Sequence, residues 1–165
     1  MLDLLPDLYD IYPKALTLAQ PLFSDFGQKK IFYGEIVTVA CFNDNSKVKA
    51  LVDTDGTGKV MVVDGKASIT HALLGDMLAE KAVKNGWQGI VINGCIRDAG
   101  TIATLDLAVK ALGCNPIKTA KLGVGDINIA VNFAGIEFIP GCYIYGDENG
   151  LAVSELKLEH PLNSD

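Results

Sequence analysis

The hydrophobic pattern changes its period in the middle of the chain. Residues 59–63 and 89–92 are apolar runs of strand length, whereas residues 74–86 carry apolar side chains at helical spacing. Gly86 stands where a glycine can close the C-terminus of that helix. A strand, a helix and a strand in this order predict a β-α-β unit whose two strands are parallel.

A second unit of the same kind is expected directly after the first. Residues 102–112 form another helical stripe that Gly113 would close, and the segment beginning at Asn115 opens a further strand. Repetition of the unit predicts an α/β protein in which parallel strands are neighbours in one sheet.

The flanking segments complete this prediction. Residues 4–19 have broken helical spacing, which predicts a short helix followed by an irregular segment. Residues 34–42 are rich in β-branched side chains and predict a strand, and residues 46–52 predict a short helix or a connector. Residues 127–138 alternate with a period of about two, and residues 142–153 have the pattern of a hairpin, so antiparallel strands are expected near the C-terminus.

Size and composition fit one compact domain formed by residues 1–165. Of the 165 residues, 49% are hydrophobic and 21% are charged, which is enough to build a core unaided. The mean hydropathy of +0.27 predicts apolar surface that an oligomer interface would bury. The N-terminus has no basic stretch, and charges or glycines interrupt the apolar runs, so we expect a cytoplasmic protein without a membrane span.

Charge and cysteine usage argue against several kinds of ligand. The net charge of -6 disfavours direct binding of nucleic acid, which needs a basic face. Cys41, Cys95, Cys114 and Cys142 are widely separated and form no CxxC or CxH pattern, so neither a zinc site nor a disulfide framework is expected. We expect reduced thiols, most of them in the core.

The strongest candidate for chemistry is the pair Arg97-Asp98, which follows the apolar run 89–92. An arginine fork can hold a carboxylate by two parallel hydrogen bonds, and an aspartate can bind a hard divalent cation such as Mg²⁺. The pair therefore suits a small keto acid. A surface ion pair is the simpler interpretation of the same two residues.

A second acid, Asp76, is separated from Arg97 by twenty residues and stands where the helix of residues 74–86 would begin. Gly75 leaves room for a ligand, and the backbone amides of Asp76, Met77 and Leu78 would receive an anion if the helix starts there. Thr70 could instead cap an earlier start. Loops at the carboxyl ends of neighbouring parallel strands open on one crevice, which would bring both segments together.

Several motifs give the chain a resemblance to a known family. They are Pro21-Leu22-Phe23-Ser24-Asp25-Phe26-Gly27, Val60-Met61-Val62-Val63-Asp64-Gly65, Gly75-Asp76, Gly94-Cys95-Ile96-Arg97-Asp98, Val131-Asn132-Phe133-Ala134-Gly135 and Asp147-Glu148-Asn149-Gly150. Across nearly its whole length the chain resembles the RraA-like family, which joins the regulator of ribonuclease activity A with the class II 4-hydroxy-4-methyl-2-oxoglutarate aldolases. The opening motif resembles the regulators, whereas the Asp76 to Arg97-Asp98 spacing resembles the aldolases.

The resemblance implies a swivelling-type β/β/α core with a mixed sheet, assembled as a homotrimeric ring with sites at the subunit interfaces. By analogy, Arg97 and the amides of residues 75–78 would bind the pyruvyl part of the substrate. Asp98 would ligate Mg²⁺ or Mn²⁺, and Asp76 would act through a water held by the metal. Such enzymes cleave 4-hydroxy-4-methyl-2-oxoglutarate to pyruvate and decarboxylate oxaloacetate through a pyruvate enolate.

The resemblance also implies a carboxylate supplied by a neighbouring subunit, for which Glu148, Glu155 and Glu159 are open alternatives. A non-catalytic function belongs to the same family: a protein regulator that binds and inhibits ribonuclease E. One fold can carry both functions.

Other polar residues have simpler structural interpretations. Asp64-Gly65 is typical of a turn, His160 of a tail, and Tyr143 and Tyr145 of a strand surface. His71 lies beside the presumed crevice, and whether it contacts substrate is open.

Overall fold

Four parallel strands form the centre of the computed structural model, which describes residues 1–163. They are β3 (Phe32–Ala40), β4 (Lys59–Leu74), β5 (Gly89–Ile96) and β6 (Ala108–Cys114), and they pair in that order. Each residue of β5 is buried, as expected for a parallel strand covered on both faces.

Antiparallel strands extend this centre on both sides. They are β1 (Thr17–Leu18), β2 (Ser24–Asp25), β7 (Asp126–Ile127), β10 (Tyr143–Asp147) and β11 (Gly150–Ser154). The order is β1-β11-β10-β3-β4-β5-β6-β2, with β7 beside β3, so the prediction of an α/β protein with a mixed sheet is confirmed. Both edge strands have two residues, and such short edges offer little template for pairing with other chains.

Helices and a small hairpin cover opposite faces of the sheet. The helices are α1 (Leu5–Ile11), α2 (Ser46–Val52), α3 (Asp76–Lys84) and α4 (Ala99–Ile102), followed by a 3-10 turn at Pro161–Asn163; the hairpin is β8 (Val131–Phe133) with β9 (Ile136–Phe138). Ala79 and Ala82 of α3 pack with Met61 on one face, and Phe138 packs with Val62 on the other. Within residues 1–163, no helix is long and apolar enough to cross a membrane.

The first predicted β-α-β unit is confirmed as β4-α3-β5, with two changes at its borders. β4 continues beyond Val63 to Leu74 through several register shifts against β5. α3 then begins at Asp76 with Gly75 at its N-cap, which excludes the earlier start at Thr70. Gly86 has φ +85°, a left-handed conformation that suits a glycine closing the helix.

The second predicted helix, at residues 102–112, is wrong. α4 ends at Ile102, and residues 108–114 form β6 between β5 and β2. The strand expected at Asn115 is also wrong, since β6 has ended there. A strand buried on both faces is a continuous apolar run, which periodicity alone does not distinguish from a helix.

The C-terminal part contains the predicted antiparallel strands. The hairpin of residues 142–153 is confirmed as β10 and β11. The alternating segment that starts at Ile127 is divided between β7 and β8. Asn128 has φ +66°, and this left-handed residue lies between the two strands.

Several predicted environments are corrected. Tyr145 is buried within the structure, not on a strand surface. His160 is buried as well: its ring meets Tyr33 edge to face at 4.2 Å, and its Nδ1 accepts a hydrogen bond from the Leu162 amide. All four thiols are free, but Cys114 is exposed, so the prediction of core thiols fails there.

Buried charges join the two ends of the chain. Asp147 is fully buried, and its Oδ2 accepts hydrogen bonds from the amides of Leu4 at 2.7 Å and Leu5 at 2.9 Å. The buried Lys110 ammonium donates to the Asp147 carbonyl at 2.8 Å and lies 3.0 Å from Asp25 Oδ1. This network links α1 and β2 to strands β6 and β10.

Candidate functional site

Arg97 and Asp98 occupy the turn between β5 and α4. The Arg97 amide donates to the Leu74 carbonyl at 2.9 Å, which fixes this turn against the end of β4. Asp98 has φ 56° and ψ 40° and is the N-cap of α4. A non-glycine residue in this left-handed region is uncommon, and aspartate is among the residues that tolerate it best.

The Asp98 carboxylate reaches the start of α3. Its Oδ2 accepts a hydrogen bond from the Asp76 amide at 3.0 Å and lies 3.9 Å from Arg97 Nε. Two segments separated by twenty residues therefore meet as the sequence predicts. One detail differs, because the amide of Asp76, expected to face a ligand, is already bound by Asp98.

Gly75 makes this approach possible. A Cβ at this position would lie 2.9 Å from Asp98 Oδ2 and 3.2 Å from Arg97 Nε. Its φ of -123° and ψ of -174° are ordinary extended values. The requirement for glycine thus comes from space beside the two charged groups, and backbone conformation plays no part.

The start of α3 keeps two further donors. The Ala79 amide bonds to the Gly75 carbonyl at 3.1 Å, so the amides of Met77 and Leu78 precede the first intrahelical bond. Asp76 is half-buried and Met77 is exposed. The positive end of the helix dipole and these amides favour an anion at this point.

Solvent reaches both charged side chains. The Arg97 and Asp98 side chains are 38% and 35% exposed. Their 3.9 Å separation makes a loose ion pair, which stabilises the fold little in water. A carboxylate ligand can therefore compete for the guanidinium, and Asp98 can turn an oxygen toward a cation.

The donor set fits a cation that substrate and water help to hold. Among residues 1–163, no group of three or more His, Cys, Asp or Glu side chains could enclose a metal ion. Mg²⁺ is commonly held by one or two carboxylates, with waters and substrate oxygens completing its shell. Asp98, exposed beside an arginine and two helix amides, matches that type of site.

The other two candidate residues, Asp64 and His71, have hydrogen-bond partners within the protein. Asp64 is not in a simple turn: it is a buried strand residue whose Oδ1 accepts from the Asn93 side-chain amide at 3.1 Å and the Lys66 amide at 3.0 Å. His71 is half-buried, with Nδ1 2.9 Å from Thr70 Oγ1. These contacts account for the polar groups without a ligand.

Two buried thiols, those of Cys41 and Cys95, are not suited to act as nucleophiles. Cys95, two residues before Arg97, is buried, and burial raises its pKa. Burial, together with the carboxylates of Asp44 and Asp64, raises the pKa of Cys41 to about 12. A thiol of this kind is protonated at neutral pH and unreactive.

The three candidate acids for a neighbouring subunit are exposed. Glu148 lies in the β10–β11 turn, and Glu155 and Glu159 follow β11. Exposure is what donation to a second copy would require, but it does not choose among them.

Comparison with known proteins gives relatives along nearly the whole chain. A protein of Pseudomonas aeruginosa is 57% identical over 156 residues, covering 94% of this chain and 96% of the relative. A protein of Azotobacter vinelandii is 56% identical with the same coverage. Both bear the name "Putative 4-hydroxy-4-methyl-2-oxoglutarate aldolase".

Solved structures share the fold. The RNA-processing inhibitor RraA from Thermus thermophilis has a TM-score of 0.92 at 33% identity. A Geobacillus kaustophilus protein, described as an S-adenosylmethionine:2-dimethylmenaquinone methyltransferase, has a TM-score of 0.90 at 37% identity. Each comparison covers 98% of both chains. The RraA-like family profile (Aldolase/RraA) matches residues 5–153. The chain therefore belongs to the Aldolase/RraA family.

Proposed function

We propose that the protein is a carbon–carbon lyase, a class II aldolase that cleaves 4-hydroxy-4-methyl-2-oxoglutarate to pyruvate and, as a secondary activity, decarboxylates oxaloacetate. One observation carries the proposal: Asp98 binds the first amide of α3 beside the Arg97 guanidinium. The names of relatives 56–57% identical support the same reaction.

Substrate binding is assigned to Arg97 and the start of α3. The guanidinium pairs with the carboxylate of the pyruvyl group, because its planar fork matches two carboxylate oxygens. The amides of Met77 and Leu78 receive an oxygen of the same group, and Gly75 keeps the approach open. Asp76, whose amide is held by Asp98, contributes its carboxylate.

Asp98 would hold a divalent cation, Mg²⁺ or Mn²⁺, together with substrate oxygens. Such a cation, when bound, acts as a Lewis acid toward negative charge developing on the keto oxygen. The part of the chain itself is to keep Asp98 fixed by the Asp76 amide and to hold the substrate in line through Arg97.

The two reactions differ in their need for a base. In aldol cleavage the 4-hydroxyl loses its proton, the bond between C3 and C4 breaks, and its electron pair passes to an enolate that is then protonated at C3. The Asp76 carboxylate is proposed to take part in removing the hydroxyl proton. In oxaloacetate decarboxylation the bond between C3 and C4 breaks, C4 leaves as CO₂, and the electron pair passes to the same enolate, which is protonated at C3; no hydroxyl proton is removed.

A lysine Schiff base is the other common route to aldol cleavage, and Lys110 is the buried lysine that invites the comparison. Its ammonium is paired with Asp25 and donates to the Asp147 carbonyl. A lysine whose amine group is engaged in both contacts is not free to attack a substrate carbonyl. The geometry therefore supports the route through Arg97 and Asp98.

The test is to measure pyruvate release from both substrates with the variants Asp98→Ala and Asp76→Ala, with added Mg²⁺ and with chelator. We expect Asp98→Ala to abolish both activities and Asp76→Ala to reduce aldol cleavage more than decarboxylation. Asp10→Ala, at an exposed acid of α1, is the control. Equal losses in Asp76→Ala would contradict the role of Asp76, and full activity in chelator would contradict the metal.

We propose that the protein is a homotrimer with a swivelling-type β/β/α core, and its exposed apolar residues support association of copies. Phe42, Leu122 and Val124 are 64%, 77% and 64% exposed, and large apolar side chains left in water favour association. The amides of Leu122 and Val124 are held by Asp44 Oδ2, which fixes this surface. We propose that such a trimer places an acid of one copy beside Asp98 of the next; light scattering would give the mass. One domain over residues 1–165, two of which lie outside the described residues, and a cytoplasmic location stay predictions.

A second candidate function is inhibition of ribonuclease E without catalysis. The fold shared with an RNA-processing inhibitor at 33% identity favours it. The discriminating measurement is RNA cleavage by ribonuclease E with wild-type protein and with Asp98→Ala. Inhibition that survives the substitution would separate this function from the lyase, and absence of inhibition by either protein would remove it.

A further inference from the structure

A cavity lies at the amino ends of β3 and β4, opposite the end where β5 leads to Arg97. It has a volume of about 360 Å³, and its wall includes Glu35, Leu51, Thr54, Lys59, Trp87 and Pro140. Small-molecule pockets have volumes of about 300–1,000 Å³, so this one suits a ligand of amino-acid size.

The cavity contains two opposite charges that do not neutralise each other. Glu35 and Lys59 are register partners on the parallel strands β3 and β4, and both are half-buried. Neither takes part in any ion pair found among residues 1–163. The Lys59 ammonium has a distant contact of 3.5 Å with the Asp55 carbonyl. A cation and an anion thus face one space without meeting.

The indole ring of Trp87 lies in the same wall. Trp87 is 3% exposed, and Gly56 packs against its ring so closely that a Cβ there would overlap the indole. In the described part of the chain, the indole Nε1–H has no hydrogen-bond partner. Because this nitrogen is itself covered, the ring contributes an apolar surface to the cavity and no donor to a ligand.

We propose that this cavity binds a small zwitterionic α-amino acid with an apolar side chain. Its ammonium pairs with Glu35, its carboxylate pairs with Lys59, and its side chain packs on Leu51, Trp87 and Pro140. A dicarboxylate would place an anion against Glu35, and a diamine would place a cation against Lys59. A ligand with one charge of each sign satisfies both.

Trp87 is the only tryptophan of the chain, which gives the test a direct readout. The full-length protein is titrated with L-leucine, with 4-methylpentanoate, which lacks the ammonium, and with 3-methylbutylamine, which lacks the carboxylate. The indole N–H resonance and the tryptophan fluorescence are followed. We expect a saturable shift with L-leucine, and at least a tenfold weaker response to either analogue.

Substitutions test which residue binds each charged group of the ligand. Glu35→Gln should weaken the binding of L-leucine about tenfold and leave the binding of 4-methylpentanoate unchanged. Lys59→Met should weaken the binding of both ligands. Glu80→Gln, at an exposed acid of α3, is the matched control and should change neither. If Lys59→Met does not fold, Glu35→Gln with the two ligands carries the test alone.

Three results would overturn the proposal. They are no saturable shift of the indole resonance by L-leucine up to about 10 mM, equal binding of L-leucine by wild type and Glu35→Gln, and loss of L-leucine binding in Asp98→Ala. The last result would place the ligand at the lyase site. Retention of binding in Asp98→Ala supports a separate cavity, whether or not the protein is a lyase.

Discussion

Replacing Gly75 by alanine tests the proposed site with the smallest change of volume. The new Cβ would lie 2.9 Å from Asp98 Oδ2 and 3.2 Å from Arg97 Nε, whereas ordinary contacts begin at 3.4 Å. The Asp98 carboxylate must therefore retreat by about 0.5 Å, and its hydrogen bond from the Asp76 amide lengthens. The two groups proposed to hold cation and substrate are displaced together.

The expected loss follows from that displacement. A misplacement of about 1 Å can cost about a hundredfold in rate, so about 0.5 Å should lower kcat/KM by roughly tenfold to a hundredfold. This corresponds to about 1.4 to 2.7 kcal/mol of transition-state stabilisation. The fold should change little, because the extended backbone at Gly75 accepts alanine. We expect a loss of about 1 kcal/mol in the free energy of unfolding, the value of one weakened hydrogen bond.

The assay is pyruvate release from both substrates, together with urea unfolding of each variant. Gly100→Ala is the control, since Gly100 lies two residues after Asp98 and a Cβ there meets no atom within 4 Å. It should keep wild-type kinetics. Wild-type kcat/KM in Gly75→Ala, or an equal loss in Gly100→Ala, would refute the assignment of catalysis to this contact.

Three further outcomes are expected. Arg97→Lys should raise the KM for oxaloacetate about tenfold or more because the bidentate fork is lost; an unchanged KM in the pyruvate assay would mean that another group holds the carboxylate. Borohydride added with pyruvate should not inactivate the protein, because the Lys110 ammonium is already paired; irreversible loss of activity would indicate a Schiff base. Hydrogen bonds from the Ser46 hydroxyl and from backbone amides lower the pKa of Asp44 from 3.8 to about 2, so its contribution to stability is present above pH 4 and is lost as the pH falls through 2. The free energy of unfolding of Asp44→Asn, measured in urea, should decline less than that of wild type between pH 4 and pH 2, and parallel declines would contradict this reasoning.

The sequence predicts the first β-α-β unit well because two features agree there. Its helix has a clear apolar stripe, and Gly86 closes it with a positive φ. The helix predicted at residues 102–112 is wrong because residues 108–114 form β6, which is buried between β5 and β2. The apolar positions of such a strand follow no period of two. Lys110 within this strand is buried and paired with Asp25, an outcome that depends on a partner far away in sequence.

The residues of the site could be predicted from the sequence, but the contacts among them could not. The residue types of Arg97, Asp98 and Gly75 suggest their chemistry, and parallel topology brings their segments to one edge. The left-handed conformation of Asp98 and its bond to the Asp76 amide depend on how β4 ends. β4 runs eleven residues past the end at residue 63 that its apolar pattern predicts, and no local signal reveals register shifts of this kind.

Two contacts have a consequence for biosynthesis. Thr17 pairs with Val153, and the amides of Leu4 and Leu5 donate hydrogen bonds to Asp147. Residues 4–18 leave the ribosome long before their partners at residues 147–153, so this part of the architecture stays incomplete until those partners have been made. Until the terminal hairpin emerges, the flank of β3 that β10 will cover stays open to other polypeptides. Premature termination before Tyr143 would therefore yield an aggregation-prone fragment, and not a smaller functional unit.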